Sequence, residues 1–172
     1  MTNIKPFVLK REFLAPRALL WKVRTQADHL QHWLIPTGFH SIHSEMHFRE
    51  AGRYFYCIQA PNDMQKWGVQ QFVEIVPKKR IVYLQSFSNK EGGLSRHPMA
   101  PSWPSYMQVT AMYEDSNSGN VTYTISCEPH DSDEVGIATF DGACSAMQTG
   151  FEVSFAKLDA YLHELQVNRP SY

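Results

Sequence analysis

The hydrophobic period of the sequence changes once, and that change constrains the fold more than any other feature. Before it, six segments rich in Val, Ile, Tyr, Phe and Thr are separated by turn-forming residues. They span residues 40–48, 53–59, 66–76, 80–88, 106–115 and 120–128. From about Asp141 onward, apolar residues instead recur every three or four positions, which is typical of an amphipathic helix. Six successive strands followed by one long helix predict an α+β protein built on an antiparallel meander.

The predicted final helix has an apolar stripe along one face. The stripe consists of Met147, Phe151, Phe155, Leu158, Leu162 and Leu165. Its length indicates a helix of roughly six or seven turns. The tail after Leu165 is predicted to fray, because Pro170 blocks continuation of the helix.

The first forty residues predict one strand and two short helices. Alternating apolar residues suit a half-buried strand over residues 4–14, and good helix formers follow over 17–24. Thr25 and Asp28 match a capping box, so a second helix is expected to begin there and to run to about Trp33. The sheet therefore has seven predicted strands.

Two connections have unusual sequences. The pair Ala51-Gly52 predicts a bulge or a tight turn. Residues 89–105 contain two glycines and three prolines together with the apolar Leu94, Met99 and Trp103. A loop of this length is often a lid or a binding element, although a surface loop without such a role fits the sequence as well.

The length and the charge of the chain limit the kinds of function that can be expected. The 172 residues contain no linker of low complexity, so one domain over 1–172 is expected. With a net charge of -1 and no basic field, nucleic acid is not expected as a partner. No apolar run has the length of a membrane span and no signal peptide is recognisable, so a cytoplasmic protein without a membrane partner is predicted. The widely spaced Cys57, Cys127 and Cys144 predict three reduced thiols.

Four segments resemble a known family in the correct order. They are REFLAPRALLWKVRTQADHLQHW (11–33), FREAGRYFY (48–56), FVEIVPKKRIVY (72–83) and the pair Gly150-Phe151. Together they resemble the activator of heat-shock-protein-90 ATPase homologue family of the START-like (SRPBCC) superfamily. Ala51 stands where that family usually has the first of two glycines, and Phe151 where it usually has Trp. The resemblance implies a helix-grip fold, in which a twisted antiparallel sheet wraps a long C-terminal helix and encloses an apolar cavity.

The resemblance also implies that aromatic side chains line this cavity. The expected ligand-binding residues are Trp33, Phe48, Tyr54, Tyr56, Trp67, Phe72, Tyr83, Trp103, Phe151 and Phe155. Ligand pockets are mostly apolar with a few placed polar groups, for which tyrosine hydroxyls are suitable. We therefore expect binding of a hydrophobic or aromatic small molecule, without a cofactor.

Two other functions remain open on the sequence. Some members of the superfamily are enzymes, such as cyclases or hydrolases acting on apolar substrates, but no catalytic residue set is recognisable here. The family name instead implies a chaperone as partner, whose ATPase the protein would regulate. A homodimer is a further expectation, since this is the commonest oligomer.

Three polar clusters contain residue types that could form a site. The first cluster consists of metal-ligand residue types, His40, His43, Glu45 and His47. Strand alternation predicts that Ile42, Met46 and Phe48 point inward and that His43, Glu45 and His47 point outward, so no metal site is predicted.

Cys144 and Ser145 near the start of the last helix are interpreted as packing residues rather than a nucleophile. Arg49, Arg53 and Glu74 are strand charges. An Arg49–Glu74 ion pair would be structural, whereas a buried Glu74 would have a raised pKa and could act as an acid or base.

Overall fold

A computed structural model describes residues 3–169 of the chain. Seven strands and three helices follow one another in the order predicted. They are β1 (Phe7–Phe13), α1 (Arg17–Thr25), α2 (Ala27–Leu30), β2 (His40–Met46), β3 (Arg53–Gln59), β4 (Gln65–Val76), β5 (Arg80–Phe87), β6 (Tyr106–Asp115), β7 (Val121–His130) and α3 (Glu134–Val167). The predicted α+β class and the succession of strands are confirmed.

All seven strands form one antiparallel sheet. Their spatial order is β1-β7-β6-β5-β4-β3-β2, so β2 to β7 form a meander and β1 joins beside β7. The register of β2 against β3 shifts between Ser41 and His43. Because of this bulge Ile42 does not join the inner face, and its side chain is exposed. The predicted inward orientation of Ile42 is therefore wrong.

The turn between β2 and β3 is tied to β4. Ala51 N–H donates to Phe72 O, and Phe72 N–H donates to Gly52 O. Ala51 has φ of +62°, in the left-handed region that disfavours residues with a Cβ. The tight turn predicted at Ala51-Gly52 is confirmed.

The last helix begins two turns earlier than predicted. It starts at Glu134 rather than near Asp141, because the Asp133 carboxylate accepts a hydrogen bond from Gly136 N–H at 2.8 Å and caps the helix. Ile137 and Phe140 extend the apolar stripe and are buried. The predicted frayed tail falls partly on residues 170–172, which lie outside the described residues.

The capping box predicted at Thr25 does not form. The Thr25 hydroxyl instead donates to Trp21 O at 2.8 Å, inside α1. Gln26 occupies the N-cap position of α2 without a side-chain hydrogen bond, and α2 ends at Leu30 after one turn instead of continuing to Trp33. The Thr25 hydroxyl therefore points back along α1 and is not available to cap α2.

Helix α3 lies across the inner face of the sheet and closes the core against β1 and β7. Phe151 stacks on Phe7 with ring centroids 5.6 Å apart. One turn further on, Phe155 packs edge-on against Phe13 at 5.5 Å and against Tyr123 at 5.6 Å. The N-terminal half of α3 contacts the loop between β5 and β6, since Thr139 donates to the Ser102 hydroxyl at 2.9 Å and Phe140 packs on Trp103.

Candidate ligand-binding cavity

A cavity of about 370 Å³ lies between the sheet, the segment after α2, the β5–β6 loop and α3. This volume is within the usual range of about 300–1,000 Å³ for small-molecule sites. Its walls are mostly apolar and come from α2 and the segment after it, from the five strands β3 to β7, from the β5–β6 loop and from α3. They consist of Leu30, Leu34, Ile35, Pro36, Tyr54, Tyr56, Ile58, Gln70, Tyr83, Gln85, Phe87, His97, Trp103, Met107, Val109, Cys127, Met147 and Phe151.

Five of the ten residues expected from the sequence line this cavity. Tyr54 and Tyr56 occupy alternate positions of β3, and Tyr83 lies on β5. Trp103 comes from the β5–β6 loop, and Phe151 closes the cavity from α3. Strand alternation brings the three tyrosines to the same face of the sheet.

Four of the other expected residues are packed in the core instead. Phe72 and Phe155 are nearly inaccessible. Trp33 is also buried, and its indole N–H donates to Val23 O at 3.1 Å. Phe48 packs edge-on against Trp21 and Phe72. None of these four borders the cavity.

Trp67, the tenth expected residue, lies on the opposite face of the sheet. It is the cross-strand partner of Cys57, whereas the neighbouring Tyr56 points to the cavity. Trp67 packs against Phe55 at 5.4 Å and His43 at 5.6 Å between ring centroids. A position in the cavity is excluded because adjacent strand residues alternate between faces.

His43, Glu45 and His47 lie on that outer face, as strand alternation predicted. His43 packs on Phe55, and Glu45 forms a hydrogen bond with His47 at 2.9 Å. No group of three His, Cys, Asp or Glu side chains within residues 3–169 has the arrangement of a metal site.

Most cavity residues missed from the sequence are aliphatic or amide side chains. Met107, Val109 and Cys127 alternate on β6 and β7, so their inward orientation could have been inferred from strand parity. Leu34 and Ile35 follow α2 in a segment without regular structure. No periodic signal points to that segment, and only the folded chain brings it to the cavity.

Tyrosine hydroxyls and amides provide the polar part of the wall. Tyr56 Oη accepts a hydrogen bond from Gln85 Nε2 at 3.0 Å, and Ser44 donates to Tyr54 Oη at 3.4 Å. Burial raises the pKa of Tyr56 to about 12 and also raises the pKa values of Tyr54 and Tyr83. All three phenols stay protonated near neutral pH and can act as hydrogen-bond donors.

A buried arginine lies directly behind the cavity wall. Arg24 of α1 is 2% exposed, and its Nη2 donates to Gln70 Oε1 at 3.0 Å. The guanidinium carbon lies 5.2 Å from the ring centroid of Tyr83. Burial alone lowers the pKa of Arg24, but the neighbouring phenols of Tyr83, Tyr113 and Tyr123 outweigh this effect and raise it, so the group stays charged.

Among the described lining residues, His97 alone carries an imidazole. Its Nδ1 accepts hydrogen bonds from the backbone N–H groups of Met99 at 3.0 Å and Ala100 at 3.1 Å, so the proton of the neutral ring is on Nε2. The ring packs between Phe87 and Trp103. Burial lowers the pKa of His97, and so does the charge of Lys66.

The strand charges Arg49, Arg53 and Glu74 lie outside the cavity wall. Glu74 pairs with Arg80 at 3.0 Å, with both side chains more than two-fifths exposed, and does not pair with Arg49. Arg53 lies over Phe55 and donates to Gly92 O at 3.4 Å. Glu74 is therefore neither buried nor part of the cavity, and none of the described lining residues is acidic.

The cysteines give no sign of a reactive thiol. Cys144 is the eleventh residue of α3, not at its start as the sequence suggested, and its thiol contacts Phe140 O at 3.5 Å. Burial raises the pKa of Cys144 and raises that of Cys127 to about 12. Both thiols therefore stay protonated near neutral pH.

Within residues 3–169, no helix combines the length and the hydrophobicity needed to cross a bilayer.

The sheet, the long helix across it and the cavity between them define the class of this protein as a helix-grip, START-like fold. The model of the family described as activator of Hsp90 ATPase homolog 1-like protein matches residues 14–163. The chain belongs to this family, as the four sequence segments indicated. None of the curated proteins compared with the chain matches it significantly.

Solved structures with the same fold come from several bacteria. A protein from Rhodobacter sphaeroides is 17% identical with a TM-score of 0.75, and the match covers 96% of this chain and 97% of that protein. A protein from Nitrosomonas europaea is 19% identical with a TM-score of 0.74, covering 97% and 99% of the two chains. A protein from Staphylococcus epidermidis is 20% identical with a TM-score of 0.71, covering 100% and 96%. At these identities the likeness concerns the fold alone.

Proposed function

We propose that this protein binds a hydrophobic or aromatic small molecule in the cavity between the sheet and α3. The observation that carries the proposal is the cavity itself, whose volume is about 370 Å³ and whose walls are mainly aromatic and aliphatic. Protein interiors are otherwise packed nearly as densely as organic crystals. An unfilled apolar space of this size is therefore unusual unless a ligand occupies it.

The depth of the cavity supports the same conclusion. Val109 and Cys127 on the sheet side are almost inaccessible to solvent, whereas Pro36 at the outer end is exposed. Met147 and Phe151 on α3 are partly exposed as well. An apolar body would be buried at the inner end and could enter past these outer residues.

The first test is native mass spectrometry of the protein as purified from cells, compared with the mass of the denatured chain. A retained molecule would identify the ligand class directly. If the ligand is bound too weakly to be retained, a screen of the melting temperature with apolar and aromatic compounds replaces native mass spectrometry. Saturation at a hundred times Kd adds about 2.7 kcal/mol to the free energy of unfolding. No shift with any compound would contradict the proposal.

A matched pair of cysteine variants localises the binding. Cys127→Leu places a larger side chain into the cavity, so ligand binding should be lost while the melting temperature is kept or raised. Cys57 is equally buried but faces away from the cavity. Cys57→Leu should therefore cost about 1–3 kcal/mol of stability through overpacking, and the folded fraction should still bind ligand.

A chaperone is a second candidate partner, because the family description names activation of the Hsp90 ATPase. The ATPase rate of a purified bacterial Hsp90 would be measured with and without the protein. A saturable change in rate would support a regulatory role. The same assay with the Cys127→Leu variant tests whether that role depends on the cavity.

A further inference from the structure

Arg24 is a buried charge that has no countercharge among the described residues. Its side chain is 2% exposed, and none of the ion pairs formed by residues 3–169 includes it. Its Nη1 has no hydrogen-bond partner in the described part of the chain. The surrounding phenols of Tyr83, Tyr113 and Tyr123 are neutral near pH 7, since burial raises their pKa values. A buried ion without an opposite charge is costly, so this arrangement needs an explanation.

Gln70 connects this charge to the cavity. Its Oε1 accepts the hydrogen bond from Arg24 Nη2 at 3.0 Å, which leaves the amide NH₂ as the free end. That NH₂ donates to no residue between 3 and 169, although the Gln70 side chain borders the cavity. A donor polarised by a neighbouring guanidinium therefore lies in the mostly apolar wall.

We propose that the ligand of this cavity is a carboxylic acid with a compact apolar body, whose carboxylate accepts a hydrogen bond from Gln70 and supplies the countercharge of Arg24. This inference rests on the proposed function, since it requires that the cavity binds a small molecule. A carboxylate fits both features of the site, because it is an anion and an acceptor at once.

The cavity volume limits the size of the acid. About 370 Å³ corresponds to roughly a dozen water molecules at about 30 Å³ each, and hence to a similar number of non-hydrogen atoms. A two-ring aromatic acid has this size. The aromatic rings of Tyr54, Tyr83 and Phe151 in the wall suit such a body.

The test compares naphthoate with acetylnaphthalene, a neutral ketone of nearly the same shape. Both are titrated against the full chain at pH 7.5 and moderate salt, with displacement of the neutral fluorophore phenylnaphthylamine as a common readout. We expect naphthoate to bind at least about tenfold more tightly than the ketone, because a charge-assisted hydrogen bond contributes about 1.5–3 kcal/mol. Naphthylmethylammonium, which carries the opposite charge, should bind most weakly.

Gln70→Glu gives the decisive variant. The new carboxylate would itself pair with Arg24, so the fold should be at least as stable, and the preference for naphthoate should disappear or reverse. The readout is the ratio of the affinities for naphthoate and acetylnaphthalene, and the melting temperature of the variant shows separately that it has folded. Gln71→Glu is the matched control, since Gln71 follows on the same strand but is exposed on the outer face. It should keep the full preference.

The outcomes separate the two proposals. If the ketone and the acid bind equally to the unchanged protein, the carboxylate inference is overturned while binding in the cavity stands. If the preference for the acid survives Gln70→Glu, the carboxylate binds elsewhere and the inference is also overturned. If neither of the two compounds nor the fluorophore itself binds, both proposals fail.

Discussion

The ring of Tyr56 lies over the α-carbon of Gly68, its antiparallel partner on β4. A Cβ at position 68 would be 2.5 Å from Tyr56 Oη and 2.6 Å from Cζ. The glycine is therefore required by the close approach of a side chain and not by its backbone angles. Because Tyr56 is part of the cavity wall, the shape of the cavity depends on this glycine.

Gly68→Ala should displace the Tyr56 ring and break its hydrogen bond with Gln85. We expect a loss of about 1–3 kcal/mol in the free energy of unfolding, measured by urea denaturation, together with weaker ligand binding. Gly150→Ala is the control. Gly150 is exposed on α3 with open space around it, so alanine there should add up to about 1 kcal/mol. If both variants changed the free energy of unfolding equally, the predicted clash between a Cβ at position 68 and the Tyr56 ring would be contradicted.

Ala51→Gly should stabilise the protein. Ala51 has φ of +62°, which costs a residue with a Cβ about 1–2 kcal/mol. Part of the gain is offset by the greater entropy of glycine in the unfolded chain, so we expect a net increase of about 0.5–1 kcal/mol. The check is the urea midpoint, with Ala60→Gly, a buried alanine at ordinary φ, as the control that should lose stability.

Ligand binding should be visible in the fluorescence of one tryptophan. Trp103 borders the cavity, whereas Trp67 is on the opposite face of the sheet. A ligand-dependent change in intrinsic fluorescence should therefore persist in Trp67→Phe and be largely lost in Trp103→Phe. A signal that follows Trp67 instead would place the ligand outside this cavity.

Acidification should loosen the β5–β6 loop through His97. Because burial lowers the pKa of His97 in the folded protein, the unfolded chain binds more protons below the ordinary pKa of about 6.5. The stabilising effect of neutral His97 is fully present above that pH and is lost as the pH falls through the lower folded pKa. Protonation also removes the acceptor for Met99 N–H and Ala100 N–H.

The matched variant is His97→Asn, whose carbonyl oxygen can replace Nδ1 as acceptor but does not titrate. Urea denaturation between pH 8 and about pH 5 should give a shallower pH dependence for His97→Asn than for the unchanged protein. Near pH 8, the difference in the free energy of unfolding between the two proteins should not depend on pH, because His97 is neutral there in both the folded and the unfolded chain. Identical slopes would contradict this role of His97.

The family resemblance and the abundance of aromatic residues predicted half of the expected cavity residues correctly. Tyr54 and Tyr56 line the cavity because they alternate with outward residues on β3, and the same rule applied to Trp67 would have placed it outside. Arg24 could not be predicted, because arginines on short helices are normally exposed. Its burial depends on residues of β4 and β5 that are distant along the chain.

The sequence alone determined the order of the elements, since the periods of two and of about 3.6 residues and the turn residues are local properties of the chain. It also determined the family, through the four segments that resemble it. Only the tertiary structure decided which inward residues pack and which border open space. Phe155 meets Phe13 and Tyr123 in a closed core, whereas Phe151 on the preceding turn of α3 also borders the cavity. The physical reason is that a cavity is set by the distance between surfaces far apart in sequence, which no local pattern encodes.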